Sequence, residues 1–251
     1  MLEKIALESL FIIIGIFFLT VMQRIHFKIL NKMQSSSKII SILGKTLFRI
    51  GVIIHEFSHL IFAILSFSKI KKINLFSKTG GSVQYSTPDY IGELPLYYDN
   101  SMYWIRLFLN QIGIFLISIG PLIVGIILNY FFVKNFLGIK GEFFDINEYL
   151  QVFSKDWLKA SGFVIYTVFF IPSFILSFQD FSNFIIARQG NIGATVVGSF
   201  LNTTIFILFI AFLTNFITIF TSFFIFYIIS FCVLLIFFVI YMILEKLINV
   251  P

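Results

Sequence analysis

Charge is scarce in this chain of 251 residues, because Asp, Glu, Lys and Arg together account for only 12% of it. Soluble domains carry roughly 25% charged residues, and the apolar share here reaches 59%. The shortage excludes an ordinary soluble domain and predicts a chain embedded in a lipid bilayer. The length suits about six spans with modest loops, so we expect one membrane domain over residues 1–251 with no appended soluble module.

Cysteine and acidic residues are also few. Cys232 is the only cysteine, which excludes an internal disulfide and a zinc site built from paired thiolates. The 12 acidic residues are outnumbered by 18 basic ones. Because the basic residues flank apolar runs, where anionic lipid headgroups account for them, we expect no nucleic-acid partner. Residues 23–49 hold six Lys or Arg and no acid, which predicts a cytoplasmic loop in a multi-pass protein of the plasma membrane.

Apolar runs long enough to cross a bilayer dominate the chain. They cover residues 5–22, 47–67, 107–133, 162–187, 200–220 and 221–244. The pattern predicts an all-α polytopic membrane protein with about six transmembrane helices. We place its core at residues 47–187 and treat the helices at 5–22 and 200–244 as accessory. Since the last two runs abut, we expect a tight turn near Thr221 and Ser222.

The loop after the second run has a different pattern. Apolar and polar residues alternate imperfectly over residues 69–76, Gly80 and Gly81 interrupt them, and alternation resumes over residues 82–85. This pattern predicts a small β-hairpin after the second transmembrane helix. A polar loop of this kind also occurs in membrane proteins without any role in binding. The alternative is an edge strand that holds an extended substrate by backbone pairing.

The second run contains the pattern His55-Glu56-Phe57-Ser58-His59. Residues four apart share one face of a helix, so His55 and His59 can point their imidazoles at a single metal ion. Glu56 lies beside them, where it can accept a proton from a metal-bound water. Two buried histidines that donate to neighbouring carbonyls would also explain the pattern. We favour a metal site, because unpaired polar groups within hydrocarbon are costly and are functional by default.

Catalytic zinc usually takes three protein ligands, so a third ligand is needed. Asp180 is our candidate, because it lies among apolar residues in the fourth run, and Pro172 before it can bend the chain toward a partner. Asp180 could instead end a shorter helix at the membrane surface. A Glu from a loop, such as Glu142 or Glu148, is the other candidate for the third ligand.

Four features occur in order over roughly residues 47–185. They are the pattern at residues 55–59, Gly80-Gly81-Ser82-Val83, Gly120-Pro121 and Asp180. Together they make the chain resemble the site-2 protease family of intramembrane zinc metalloproteases. The resemblance implies a bundle of about six helices in which His55, His59 and Asp180 bind Zn2+ and Glu56 activates water.

The resemblance also implies a substrate and a reaction. Gly80, Gly81, Ser82 and Val83 would contact an extended substrate, and the enzyme would be a zinc metalloendopeptidase. It would hydrolyse a peptide bond in or near a transmembrane segment of another membrane protein, toward the cytoplasmic side. The family has Asn or Pro before its Asp and Gly after it, whereas Gln179 and Phe181 flank Asp180 here. A non-catalytic zinc-binding relative that acts as a chaperone or partner protein is therefore the alternative.

Overall fold

The computed structural model describes residues 2–35, 38–75, 81–86, 101–139, 146–177, 180, 182 and 192–248. Most of these residues are helical. The α-helices are α1 (Leu2–Gln34), α2 (Lys38–Leu65), α3 (Ser101–Phe131), α4 (Ile146–Lys155), α5 (Trp157–Ile165), α6 (Ile192–Leu213) and α7 (Ile217–Ile248). The strands are β1 (Lys69–Asn74) and β2 (Ser82–Ser86).

Tighter or wider helical turns extend several of these helices. A π-helical turn, Phe132–Leu137, continues α3. Another, Tyr166–Phe170, continues α5 and leads into the 3₁₀ turn Ile171–Phe174. The 3₁₀ turn Thr214–Phe216 joins α6 to α7.

Five helical stretches in the described parts of the chain are long and apolar enough to cross a membrane. They are Glu3–Gln34, Ser41–Leu65, Phe108–Leu137, Trp157–Phe174 and Ser199–Ile240. These helices indicate an integral membrane protein, and the predicted all-α polytopic fold with a β-hairpin is confirmed.

The last two predicted runs form one stretch of 42 residues. The expected turn at Thr221 and Ser222 is wrong, because both residues lie inside α7. The Thr221 hydroxyl donates to the Ile217 carbonyl at 2.7 Å, and Asn129 donates to the Ser222 hydroxyl at 3.1 Å. Hydroxyls satisfied in this way are tolerated within a membrane helix, so they do not signal a turn.

The helices α1 and α7 run parallel along the bundle. Near one end, the ring of Phe11 lies 6.4 Å from the ring of Phe220. Near the other, the Lys32 ammonium lies 5.5 Å from the centre of the Phe238 ring. Apolar residues of α1, α3 and α7 form one continuous core, so the predicted accessory helices pack against the predicted core.

Close approaches of α3 position the two elements that carry the candidate ligands. A Cβ atom at Gly120 would lie 3.1 Å from the Ser58 carbonyl of α2. A Cβ at Gly125 would collide with Phe174, in the turn that follows α5. Because both positions lack a side chain, the backbone of α3 can lie against α2 and against the turn that contains Phe174.

The hairpin predicted after α2 is present. Strands β1 and β2 pair in antiparallel register, with Ile70 opposite Tyr85 and Ile73 opposite Val83, and the register shifts between Ile70 and Lys72. Both strands pack against α2. The hairpin therefore folds back onto the helix that carries the two histidines.

Candidate metal centre

His55 and His59 lie one turn apart on α2 and meet at their ring nitrogens. Their Nε2 atoms are 3.1 Å apart, and only 8% of His55 and 7% of His59 is exposed. The sequence prediction that both imidazoles face one point is confirmed by this geometry.

Backbone carbonyls hold both rings in place. His55 Nδ1 lies 3.0 Å from the Ser173 carbonyl oxygen, and His59 Nδ1 lies 2.7 Å from that of Ile117. Because a carbonyl oxygen can only accept, each Nδ1 carries a hydrogen, so a neutral ring would present the lone pair of Nε2 to a metal ion. The close approach of the two Nε2 atoms and the Asp180 oxygens requires a proton or a metal ion between them. Metal-binding histidines typically donate their other ring N–H in this way.

Asp180 completes a group of three. Its Oδ2 lies 3.1 Å from His55 Nε2, and its Oδ1 lies 3.2 Å from His59 Nε2. For bonds of about 2.0–2.2 Å to one ion, ligand atoms lie about 2.8–3.6 Å apart in octahedral or tetrahedral geometry. The observed spacings fall in this interval, so His55, His59 and Asp180 could hold a metal ion.

The Asp180 side chain is largely enclosed, with 13% of it exposed. Burial opposes its charged form, but the two imidazoles outweigh burial and hold the pKa of Asp180 well below its ordinary value. The carboxylate is therefore ionised at neutral pH, as a metal ligand must be. Asp180 thus lies buried against the two histidines.

Pro172 explains how Asp180 reaches the histidines. It lies in the 3₁₀ turn Ile171–Phe174, and the backbone is extended at Ile175, with φ −83° and ψ 142°. The helix of the fourth span thus ends before the ligand. Gln23 of α1 donates to the Ile175 carbonyl at 2.9 Å and holds this non-helical segment against the bundle.

Of the two loop glutamates proposed as alternatives, the structure describes only Glu148. Glu148 lies in α4 and does not belong to the group of potential ligands within the described residues. Glu142 lies outside the described residues. Asp180 is the third member of the group that the structure brings together.

Glu56 lies beside this group and against the hairpin. It is within electrostatic reach of both histidines and Asp180, and it accepts a hydrogen bond from the Val83 backbone N–H. A Cβ atom on Gly81 would collide with the Glu56 side chain. The absence of a side chain at Gly81 therefore allows the hairpin to lie directly over the carboxylate.

A cavity of about 400 Å³ joins these residues. Its wall includes His55, Glu56, His59, Asp180, Gly81, Ser82, Val83, Tyr85, Phe27 and Phe48. Three of the four residues expected to contact a substrate thus face the same space as the candidate ligands. The fourth, Gly80, lies outside the described residues.

Sequence reasoning missed two side chains at the site. Tyr85 of β2 lines the cavity, and burial together with the Asp180 charge raises its pKa to about 12. The phenol therefore stays protonated and can donate. Ser177 bonds to Asp180, and the spacing Ser-x-x-Asp is a known helix-capping pattern that could have indicated it. No sequence signal marks the Ser173 and Ile117 carbonyls.

Comparison with known proteins found no matching family model, no matching curated protein and no matching solved structure. The chemistry of the site is therefore inferred from its own geometry. That geometry establishes a candidate metal centre in a membrane protein.

Proposed function

We propose that this chain is an intramembrane zinc endopeptidase that hydrolyses a peptide bond in or near a transmembrane segment of another membrane protein. One observation carries the proposal. Two carbonyl-oriented imidazoles and an ionised carboxylate converge on one point, with Glu56 beside them, in a chain of membrane-spanning helices. This observation supports the proposal that the chain is related to the site-2 proteases, which its sequence resembles.

The donor set and its neighbour favour zinc. Two imidazoles and one carboxylate bind zinc in hydrolases and iron in some oxygenases. The Glu directly after the first His, in His-Glu-x-x-His spacing on one helix, is typical of zinc peptidases, because it serves as the general base. Zinc, when bound, lowers the pKa of water to about 7 and polarises a carbonyl.

Glu56 moves the proton in the proposed reaction. It accepts a proton from the attacking water and passes it to the amine that leaves. The Val83 N–H holds the carboxylate at the cavity wall during this exchange. Tyr85, protonated at neutral pH, can donate to the oxygen that develops negative charge.

The hairpin suits a substrate that has lost its helical structure. A helix hides its carbonyls in internal hydrogen bonds, and backbone groups left unpaired in lipid are costly. We propose that an extended substrate pairs with β2, whose Gly81, Ser82 and Val83 line the cavity. The backbone of β2 would then replace the hydrogen bonds that unwinding removes.

The cavity extends toward the basic end of the α1–α2 pair. Phe27 and Phe48, which line it, lie within the segment 23–49 that holds six Lys or Arg and no acid. By the positive-inside rule, that end faces the cytoplasm. We therefore propose cleavage near the cytoplasmic face of the plasma membrane.

The test is cleavage of a transmembrane reporter by purified protein in liposomes, with metal content measured on the same samples. Wild type is expected to contain one zinc and to cleave. Glu56→Gln should retain zinc and lose about 10²–10⁴-fold in rate, because only the proton carrier is removed. Glu8→Gln, the same change at a Glu of α1 that pairs with Lys4, should behave as wild type.

Two results would contradict the proposal. Stoichiometric zinc without cleavage of any transmembrane reporter would favour the non-catalytic partner or chaperone. Iron in place of zinc in metal analysis would move the site to a different class of reaction.

A further inference from the structure

Ser177 makes a reciprocal pair of hydrogen bonds with Asp180. The Ser177 backbone N–H donates to Asp180 Oδ2 at 2.9 Å, and the Asp180 backbone N–H donates to Ser177 Oγ at 3.1 Å. The Ser177 hydroxyl also donates to Oδ2 at 2.6 Å. This is the arrangement of a capping box, in which the first residue of a helical turn and the residue three positions later bond to each other.

We infer that Ser177 is a positioning residue that fixes the carboxylate of Asp180 for metal binding, an inference that rests on the metal centre of the proposed function. The polypeptide directly before Ser177 is non-helical, so the helix of the fourth span does not continue to the ligand. The three hydrogen bonds to Ser177 restrict both the backbone and the carboxylate plane. A ligand held in this way loses less freedom when it binds an ion.

The pair also distinguishes the two carboxylate oxygens. Oδ2 accepts both the N–H and the O–H of Ser177, which use its two lone pairs. Oδ1 has a lone pair available and lies 3.2 Å from His59 Nε2. Oδ2 also lies 3.1 Å from His55 Nε2, so both oxygens face the histidines. Because Oδ2 already accepts the two Ser177 donors, Oδ1 is the oxygen with more capacity for the ion.

The capping box also offsets the cost of burying a charge. The Asp180 side chain is only 13% exposed, and an isolated carboxylate in such surroundings is strongly disfavoured. Hydrogen bonds from an N–H and an O–H compensate part of that cost when no ion is bound. Ser177 thus supplies two donors to the enclosed carboxylate before any metal is bound.

The experiment measures the zinc dissociation constant of detergent-purified protein by competition with a chelator, without any substrate. Ser177→Ala should weaken zinc binding about 10–100-fold, as is typical for partners that orient a metal ligand. Ser177→Thr keeps the hydroxyl and should bind within a few-fold of wild type. Ser161→Ala removes a hydroxyl that donates only within its own helix, to Trp157 and Leu158, and should bind as wild type.

A double-mutant cycle tests the assignment of the oxygens. Asp180→Asn has one acceptor oxygen, which cannot serve both the Ser177 donors and the ion. Ser177→Ala removes the hydroxyl donor and so part of that competition. Asp180→Asn should therefore weaken zinc binding by a smaller factor in the Ser177→Ala variant than in the wild-type protein. Equal losses in both backgrounds would overturn the assignment.

The outcomes separate this inference from the proposed protease. Wild-type zinc affinity in Ser177→Ala, or equal weakening by Ser177→Ala and Ser177→Thr, overturns the positioning role. Wild-type protein that binds no metal overturns the metal centre and this inference together. Zinc binding that depends on Ser177 in a protein that cleaves no reporter supports this inference and counts against the protease alone.

Discussion

The region around His55 and His59 and the region around His26 differ in what the rings contact. All three histidines are buried, and His26 is only 4% exposed. His55 and His59 donate to backbone carbonyls and meet a carboxylate. His26 Nδ1 has no hydrogen-bond partner within the described residues, and its ring lies 6.3 Å from that of Tyr227.

The difference shows that burial of a histidine does not by itself make it a ligand. A ligand needs its far nitrogen fixed, so that the near nitrogen presents a lone pair in one direction. The Ser173 and Ile117 carbonyls supply this for His55 and His59, whereas the described surroundings of His26 are mainly apolar or aromatic. Substitutions in the two regions should therefore differ strongly in their effect on metal binding and activity.

The largest expected effect is on metal content. His55→Ala and His59→Ala should each abolish stoichiometric zinc, since each removes one of three ligands, while His26→Ala should retain it. Metal analysis of purified, monodisperse protein measures this directly. Zinc retained in His55→Ala, or lost in His26→Ala, would break the contrast between the two regions.

The next largest effect is expected on the cleavage rate, when one glycine in each region is replaced by alanine. Gly81→Ala should lower the cleavage rate by about 10²-fold with zinc retained, because a methyl group there displaces Glu56 or the hairpin. Gly51→Ala, in the cavity wall shared with His26, places its Cβ 3.5 Å from Ser173 Oγ, an ordinary contact. Its cleavage rate should match wild type. Equal rates for the two variants would show that the hairpin is not close to Glu56 during catalysis.

Acidification should release the metal through the histidines. An imidazole binds metal only when neutral and ordinarily takes up its proton near pH 6.5. Because the pKa of Asp180 is depressed, its carboxylate stays ionised until the pH falls below the ordinary aspartate value of about 3.9, and its contribution to the stability of the folded protein is lost only there. Loss of metal at higher pH must therefore come from the histidines. Zinc affinity should thus fall about tenfold or more per pH unit below about pH 6. His26→Phe should leave this profile unchanged, whereas a profile that shifts with His26→Phe would link the two regions.

The smallest expected effect is on stability. His26→Phe removes a buried nitrogen without a partner in the described structure and keeps an aromatic ring beside Tyr227. We expect the free energy of unfolding to stay the same or to rise by about 1 kcal/mol. Thermal unfolding in detergent measures this. A loss of about 2 kcal/mol or more would mean that His26 has a partner of its own.

Much of the fold could be predicted from the sequence. Hydropathy is a local property, so the long apolar runs predicted the membrane helices. The hairpin was predicted by alternating apolar and polar residues on both sides of two glycines. The division of the last run failed for an equally local reason. Thr221 and Ser222 resemble a turn in one dimension, but their hydroxyls are satisfied by Ile217 and Asn129.

The residues of the candidate site were likewise predicted from the sequence only in part. The spacing of His55, Glu56 and His59 was readable because residues four apart share a helix face. Asp180 was found by its unusual surroundings, but its position at the histidines depends on a bond between residues 125 apart. Ser177 carried a readable pattern beside Asp180, whereas Tyr85 and Gly81 became site residues only through the packing of the hairpin on α2.

The sequence by itself determined that the chain crosses a membrane several times and that one helix face carries two imidazoles. Both properties depend only on residues that are close together in the sequence. Tertiary structure decided which groups complete the centre. The carbonyls that orient the two rings lie 118 and 58 residues away along the chain. These long-range contacts form because α3 packs against both α2 and the turn at Ile171–Phe174. The sequence of one helix does not specify which carbonyl of another helix its histidine will meet.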